Sequence, residues 1–329
     1  MGTGHPDGKV VRRMGRYIIR RLIATVAVLF GVSILIFTIV HLTPGDAARA
    51  QLPSNAPEEQ IQKIRRAMGL DKPMPIQYVY WLRNAVQGDF GRSYQHRISA
   101  FGIVKDRFPN TVILAGSSLV VAVIIGLTVG VIAGTRPNSR TDRTATILGI
   151  IGASLPSFWL AIMLLIIFSL KLGWFPAVGM YDVRGDGGLV DLAKHLVLPT
   201  IATAAVPAAV IARQVRSSIL EIMNLDFVRT ARAKGLAEHI VVLRHALRNA
   251  MPTFITIVAL QAGYLLGGSL ITEVVFSWPG MGQQLYTSIG ARDVPVIMTI
   301  TVLIALVFTS LNLIADVLQG VIDPRIRLM

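Results

Sequence analysis

Residues 22–42 read LIATVAVLFGVSILIFTIVHL, a run of 21 residues without a single Asp, Glu, Lys or Arg. A helix of about 20 apolar residues crosses the hydrocarbon core of a bilayer, which is about 30 Å thick. The run is also longer than the roughly 7–15 apolar residues of a cleaved signal peptide. We therefore expect it to remain in the protein as a transmembrane helix.

The same pattern recurs along the chain. Four more runs contain no Asp, Glu, Lys or Arg, and they span residues 112–134, 145–170, 250–272 and 294–315. A sixth run, residues 196–212, is shorter and carries Pro199 and Pro207, which a membrane helix tolerates when its neighbours satisfy the freed carbonyls. Charged residues make up only 15% of the chain, compared with roughly 25% in soluble domains. We predict an all-α integral membrane protein with six transmembrane helices.

The basic residues predict how these helices are oriented. The formal net charge is +14, and Lys and Arg concentrate in residues 1–21, 135–144 and 213–249. Short loops rich in Lys and Arg stay on the cytoplasmic side, so we expect both termini inside and residues 43–110 outside a bacterial inner (plasma) membrane. Because the basic residues flank apolar runs instead of covering a soluble face, we expect a lipid bilayer and no nucleic acid as partner.

The connection 43–110 is too long for a simple turn. Asn55 and Glu58 are spaced as in a capping box, and Gly69 is placed to end the following helix. The segment is expected to be either a small surface helix over the external mouth or a plain structured loop. The predicted domains are an N-terminal segment with the first transmembrane helix (1–42), an extracytoplasmic loop domain (43–110), a five-helix core (111–322) and a cytoplasmic tail (323–329).

A second long connection, residues 213–252, is expected on the cytoplasmic side. Asp226 is placed to N-cap a helix over residues 227–234, and Gly235 to end it in a left-handed turn. An amphipathic stretch over residues 238–251 then leads into the fifth run. This pattern suits either a platform on which a partner protein acts or a basic surface helix held by anionic headgroups.

Several small residues and one acid stand out in or beside the apolar runs. Glycines spaced four apart occur at Gly126, Gly130 and Gly134, and again at Gly263 and Gly267. This spacing lets helix backbones approach closely, so we interpret these glycines as packing positions. Glu273 borders the fifth run, where burying a charge is costly, and we expect it to have a structural or gating role.

Enzyme chemistry is not expected. The sequence has no Gly-x-x-x-x-Gly-Lys-Ser/Thr phosphate loop, and Lys234-Gly235 has the wrong order for one. It has no cysteine, its six histidines are scattered, and no His-Glu-x-x-His or Gly-x-Ser-x-Gly motif occurs. We therefore predict no catalytic residue, no metal site and no cofactor bound by this chain. A series of buried acids typical of ion-coupled pumps is missing as well, so other subunits would have to power transport.

Two stretches of the second connection form a recognisable signature. Residues 226–236 read DFVRTARAKGL and residues 244–252 read RHALRNAMP. They resemble the coupling signature of ABC transporter permeases of the peptide/nickel (dipeptide/oligopeptide) importer family, the transmembrane subunits of type I importers. Further motifs follow that family's order: LTPGD at 42–46, GLDKP at 69–73, GDFG at 88–91, PNT at 109–111, FSWPGMG at 276–282 and DPR at 323–325. The general signature opens with Glu-Ala-Ala, whereas residues 229–231 here read RTA, so the acid is absent.

The resemblance implies which residues contact a separate ATPase. The implied coupling residues are Asp226, Arg229, Thr230, Ala231, Arg232, Ala233, Lys234 and Gly235, with support from His245, Arg248, Asn249 and Pro252. Ala231 and Ala233 are expected to face or flank the ATPase groove, with the basic side chains at its rim. A candidate gate or periplasmic contact comprises Glu273, Trp278, Pro279, Gly280 and Gly282.

The resemblance also implies an assembly. Its members would be this chain, a homologous second permease subunit, two ABC ATPase subunits that bind ATP and Mg, and an extracytoplasmic solute-binding protein. The implied function is import of short peptides by alternating access. Import of a nickel chelate or of glutathione remains an alternative, as does a stand-alone ion-coupled carrier. The predicted fold thereby gains an external loop domain and a cytoplasmic coupling helix.

Overall fold

Helices account for nearly all regular structure in the computed structural model, which describes residues 6–42, 48–53, 56–182, 185 and 187–322. The one extended feature within these residues is an isolated antiparallel bridge between Arg92 and Ser99. The predicted all-α fold class is confirmed. The chain forms two compact units, one of residues 1–108 and 284–310 and the other of residues 109–283 and 311–329. The domain boundaries predicted at residues 42, 110 and 322 follow the membrane instead, and they remain predictions.

The helices are numbered in chain order. They are α1 (Pro6–Leu42), α2 (Glu58–Ala67), α3 (Met74–Val86), α4 (Ala100–Thr135), α5 (Arg140–Ser154), α6 (Ser157–Leu164), α7 (Leu189–Met223), α8 (Asp226–Ala233), α9 (Glu238–Ile240), α10 (Leu247–Val275), α11 (Met281–Gly290) and α12 (Val294–Ile322). Wide π-type turns continue α6 over Leu165–Lys171 and join α9 to α10 over Val241–Ala246. In the described part of the chain, five helices are long and apolar enough to cross a membrane: α1, α4, α7, the α9–α10 segment and α12.

The span predicted over residues 145–170 is not a straight helix. The run 145–170 is divided between α5 and α6, which are bent by 100°. Leu155 has an extended backbone (φ −73°, ψ 129°), because the ring of Pro156 disfavours helical geometry in the residue before it. This run is therefore a broken helix, and the described residues hold the six predicted spans if the bent pair makes one crossing.

Helices α4 and α7 pack closely along the glycines spaced four apart. A Cβ atom on Gly126 would lie 2.7 Å from Ile211, and one on Gly130 would lie 2.7 Å from the carbonyl oxygen of Ala212. Gly134 meets the next turn of α7 in the same way. The packing role predicted for these glycines is confirmed. Gly267 differs, because a Cβ there would meet nothing within 4 Å.

The connection after α1 holds two helices, α2 and α3, so the plain-loop alternative is wrong. Glu58 is the first residue of α2, but Pro57 occupies the N-cap and makes no side-chain cap bond. Asn55, the other half of the predicted capping box, lies outside the described residues. Gly69 has a φ of +69°, which confirms the predicted left-handed end of the helix.

Helix α3 is fixed against the C-terminal half of α1 by polar and aromatic contacts. The hydroxyls of Ser33 and Tyr78 are hydrogen-bonded at 2.8 Å. The Tyr78 ring also meets that of Phe37 edge-on, with centroids 5.3 Å apart. His41 Nε2 lies 3.1 Å from Gln77 Oε1. These contacts place α3 beside the end of the first transmembrane helix.

Candidate functional site

The short helix α8 follows α7 after a sharp turn. Leu225 has an extended backbone (φ −76°, ψ 150°) and precedes the first helical residue, Asp226. The predicted N-cap role of Asp226 is wrong by one position, since Leu225 is the cap and no side chain bonds to the helix end. The carboxylate of Asp226 instead lies 3.3 Å from Nη1 of Arg229, with both side chains exposed.

The end of α8 is a left-handed turn, as predicted. Gly235 has a φ of +77°. Its N–H donates to the carbonyl of Arg232 at 2.9 Å, and the next N–H, of Leu236, reaches the carbonyl of Ala231 at 3.4 Å. A Cβ on Gly235 would meet nothing within 4 Å. Glycine is therefore favoured here by the backbone conformation and not by lack of space.

An ion pair bridges this turn. Arg232 donates from Nη2 and Nε to the two carboxylate oxygens of Glu238, at 2.6 and 3.1 Å. The Glu238 carboxylate raises the pKa of Arg232 above its usual value. Because both side chains are exposed, the pair contributes less than about 1 kcal/mol to stability. Its bidentate geometry nevertheless joins the end of α8 to the start of α9.

Helix α8 has a buried face and an exposed face. Val228 and Ala231 are buried and pack with Val241 of the wide turn, and Ile222 and Met223 of α7 cover the same cluster. Ala231 therefore packs against this chain's own apolar cluster, and its expected place facing or flanking an ATPase groove remains a prediction. Val228 and Ala231 are three residues apart, so they form a narrow stripe on one side of the helix, and that stripe covers the chain's own apolar surface.

The exposed face of α8 and its flanks mixes apolar and basic side chains. The exposed residues are Leu225, Asp226, Phe227, Arg229, Thr230, Arg232, Ala233, Lys234 and Leu236. Phe227 is 41% exposed and Leu225 46%, large values for apolar side chains beside a buried cluster. The exposure of Ala233 agrees with its predicted outward position.

The four predicted supporting residues lie in the wide turn and the first turns of α10. His245 is half-buried, and its carbonyl accepts a hydrogen bond from Asn249 Nδ2 at 2.6 Å. Arg248 is exposed, and Pro252 lies inside α10. Because proline has no N–H, the carbonyl of Arg248 receives no helical hydrogen bond from that position.

Glu273 is fully buried at the end of α10. Its Oε2 accepts hydrogen bonds from the backbone N–H groups of Gly282 at 2.6 Å and Gln283 at 3.4 Å, in the first turn of α11. A carboxyl oxygen at this position accepts from N–H groups of the first helical turn, which precede the first intrahelical hydrogen bond. A Cβ on Gly282 would lie 2.5 Å from Cα of Leu270. Glu273 thus has a structural role, which was one of its two predicted roles; a gating role remains a prediction.

The motifs at 109–111 and 276–282 bond to each other, a pairing that the sequence did not reveal. Trp278 is fully buried, and its Nε1–H donates to the carbonyl of Asn110 at 2.9 Å. Asn110 Nδ2 donates back to the carbonyl of Pro279 at 2.8 Å. The N–H of Met281 donates to Thr111 Oγ1 at 2.8 Å. With Trp278 and Glu273 buried in this conformation, a direct periplasmic contact through either side chain would need this region to open.

A buried ion pair was also missed by sequence reasoning. Asp142 is only 3% exposed, and its Oδ2 accepts from Nη2 of Arg216 at 2.9 Å. The same carboxylate accepts from the N–H of Asn138 at 2.9 Å. The pair joins the 135–144 connection to α7, across 74 residues of sequence. Asp142 is the only acid in that basic connection, and this was the available signal.

Helices long and apolar enough to cross a membrane, with a short exposed helix between two of them, are features of a membrane permease. Residues 126–328 match the family described as binding-protein-dependent transport system inner membrane component, and residues 14–115 match that family's N-terminal part. The chain belongs to this family. The resemblance to ABC importer permeases of the peptide/nickel type is thereby confirmed, and the chain is an inner membrane component of such a transport system.

Named relatives cover nearly the whole chain. A putative peptide permease protein of Brucella ovis is 40% identical over 317 residues, covering 95% of this chain and 99% of the relative. The glutathione transport system permease protein GsiC of Escherichia coli K12 is 42% identical over 314 residues, with the same coverage. Among solved structures, the inward-facing methionine ABC transporter MetNI matches with a TM-score of 0.54 and 20% identity, over 68% of this chain and 97% of the matched chain. That last likeness supports the fold.

Proposed function

We propose that this chain is one permease subunit of an ATP-driven importer that carries short peptides across the inner membrane by alternating access. A homologous second permease, two ATPases that bind ATP and Mg, and an extracytoplasmic binding protein would complete the transporter. The two-faced geometry of α8 carries the proposal. A helix that is anchored to its own chain on one side and exposes a phenylalanine on the other is suited to dock with a partner.

The anchoring of α8 explains how a partner could move the pore. Val228 and Ala231 pack on Val241 of the wide turn before α10, and Met223 belongs to the last turn of α7. A displacement of α8 is therefore passed directly to the ends of two membrane-crossing helices. ATP-driven closure of the ATPases would supply the free energy for this shift, because closed ATPases would bind one orientation of α8 better than the other.

The exposed side chains define what the partner groove should offer. Phe227, with Leu225 beside it, would fill an apolar pocket, while Arg229 and Lys234 supply positive charge at the edge. The Arg232–Glu238 pair stays within this chain and fixes the direction in which α8 leaves its turn. We place this face in the cytoplasm, where the basic loops are expected and where ATP is available.

The relatives support the substrate class. One is a putative peptide permease and another is a glutathione permease, and glutathione is itself a tripeptide. The substrates named for these two relatives have in common that they are small peptides with free carboxylates. Nickel chelates, the other expectation from sequence, have no such support among these relatives.

The test is reconstitution of the complete transporter in proteoliposomes. Uptake of a labelled dipeptide, of glutathione and of a nickel–histidine chelate would be measured with ATP, with ADP and without the binding protein. We expect uptake of the dipeptide or glutathione only when ATP and the binding protein are both present. Peptide uptake that continues with ADP in place of ATP would contradict the proposal and favour an ion-coupled carrier.

A further inference from the structure

The unit formed by residues 1–108 and 284–310 contains a cavity of about 500 Å³. Small-molecule sites usually have volumes of roughly 300–1,000 Å³ and mostly apolar walls with a few polar groups. Five aromatic rings line this cavity: Phe37, Tyr80, Trp81, Phe90 and Tyr94. Its size and walls are therefore those of a ligand site, and nothing in the coupling mechanism uses it.

The charged side chains that line the cavity are cations. Lys72, Arg92 and Arg97 line it, and no Asp or Glu is found among its described lining residues. Neither arginine forms an ion pair within the described part of the chain. Trp81 also lines the cavity, and its buried Nε1–H has no hydrogen-bond acceptor there. A buried donor without an acceptor is costly, so the site is suited to a ligand that brings an anionic oxygen.

The loop that carries both arginines is held in one conformation. Asp293, which is fully buried, accepts a hydrogen bond from Ser93 Oγ and another from the N–H of Tyr94 at 2.9 Å. The N–H of Arg97 donates to the carbonyl of Ser93 at 2.9 Å, and the Arg92–Ser99 bridge closes the loop. Because these bonds lie within the chain itself, binding would require little further ordering of the loop.

We propose that this cavity binds a short peptide through its free carboxylate. Arg92 and Arg97 would pair with the carboxylate, Trp81 would supply a further donor, and the aromatic walls would take an apolar side chain of the peptide. The site rests on the proposed function for its choice of ligand, and it adds a peptide contact on this subunit that is separate from the coupling helix. With residues 43–110 outside the membrane, the cavity would meet the peptide as the binding protein releases it.

The test measures binding to the full chain in lipid nanodiscs without other subunits. The probes are labelled Ala-Phe with a free carboxylate and the same dipeptide as its C-terminal amide, studied by equilibrium dialysis. We expect the free acid to bind about tenfold or more tightly than the amide, because a charge-assisted hydrogen bond is lost. A chain carrying Arg92→Gln and Arg97→Gln should lose this preference. The matched control is Arg83→Gln, an exposed arginine of α3 that does not line the cavity, and it should keep the preference.

Two further variants keep the test decisive if the chain carrying both Arg92→Gln and Arg97→Gln folds poorly. Trp81→Phe retains the ring but removes the N–H, and it should weaken binding of the free acid. Tyr80→Cys places a single thiol in this cysteine-free chain at a half-exposed position of the cavity wall. The free acid should protect this thiol from a maleimide better than the amide does.

Equal binding of acid and amide, no binding to the wild-type chain, or equal binding by the arginine and control variants would each overturn the site. The proposal would also be overturned if free peptide does not bind and the binding protein binds this chain only when Arg92 and Arg97 are present. That result would assign the cavity to docking of an acidic surface of the binding protein. The assay contains no ATPase, so its outcome is independent of import. Failure of the reconstituted transporter to carry peptides would refute the proposed function while leaving the measured carboxylate preference standing.

Discussion

Ala231 and Ala233 are two residues apart in α8 but have different environments. Ala231 is 7% exposed and packs on Val241, whereas Ala233 is exposed. The side chain that a substitution adds would therefore meet the chain's own apolar cluster at one position and solvent or a partner at the other. Substitutions at these two positions can therefore separate an effect on the stability of the permease from an effect on its docking with a partner.

A matched pair of substitutions uses this contrast. Ala231→Trp should lower the stability of the purified chain by about 1–3 kcal/mol, because it overfills a packed site. Ala233→Trp should leave stability nearly unchanged but reduce copurification of the ATPase. Thermal unfolding in detergent and ATPase copurification are the two measurements. Equal unfolding temperatures for the two variants would show that Ala231 is not buried as described.

Gly235 allows a prediction about backbone conformation. At a φ of +77° a β-branched residue costs about 1–2 kcal/mol, so Gly235→Val should redirect the end of α8. We expect loss of peptide uptake at normal membrane abundance. Arg232→Ala should be milder, because it removes only an exposed ion pair. Normal uptake by Gly235→Val would indicate that the turn does not orient a coupling element.

Among the elements, α4 and α7 pack closely, and their close approach depends on glycine. A Cβ on Gly130 would lie 2.7 Å from Ala212 O and from Val215, while one on Gly116 of the same helix would meet nothing within 4 Å. Gly130→Ala should lower the unfolding temperature, at a cost of about 1–3 kcal/mol. Gly116→Ala should not. Thermal unfolding of both variants checks this, and an unchanged Gly130→Ala protein would contradict the packing.

The same elements show how far the sequence could predict the structure. Long apolar runs determine helices directly, because a bilayer requires backbone hydrogen bonds within the segment. Gly235 was also predictable, since few residues other than glycine end a helix with positive φ. Pro156 was a local signal for the bend before it, but the apolar run continues through this residue and predicted one helix. The inward face of Ala231 had no local signal. The Asp142–Arg216 pair had only one, the single acid in a basic connection, because its partner lies 74 residues away.

At the scale of the whole molecule, the orientation in the membrane is the first prediction to test. The chain has no cysteine, so single thiols can report on each side. Val86→Cys, at a position 81% exposed at the end of α3, should react with an impermeant maleimide in intact spheroplasts. Arg140→Cys, at the exposed start of α5, should react only after lysis, because the basic loops stay inside. The reverse labelling would invert the topology and remove α8 from the cytoplasm.

The central claim is that the exposed face of α8 docks on an ATPase. The most direct measurement is photo-cross-linking in the assembled transporter, with p-benzoylphenylalanine in place of Phe227. Phe227 is 41% exposed on this face, and the matched control carries the same group in place of Val86. We predict an adduct with the ATPase from position 227 and none from position 86. An active transporter that forms no ATPase adduct at position 227, or forms only lipid adducts there, would contradict the account.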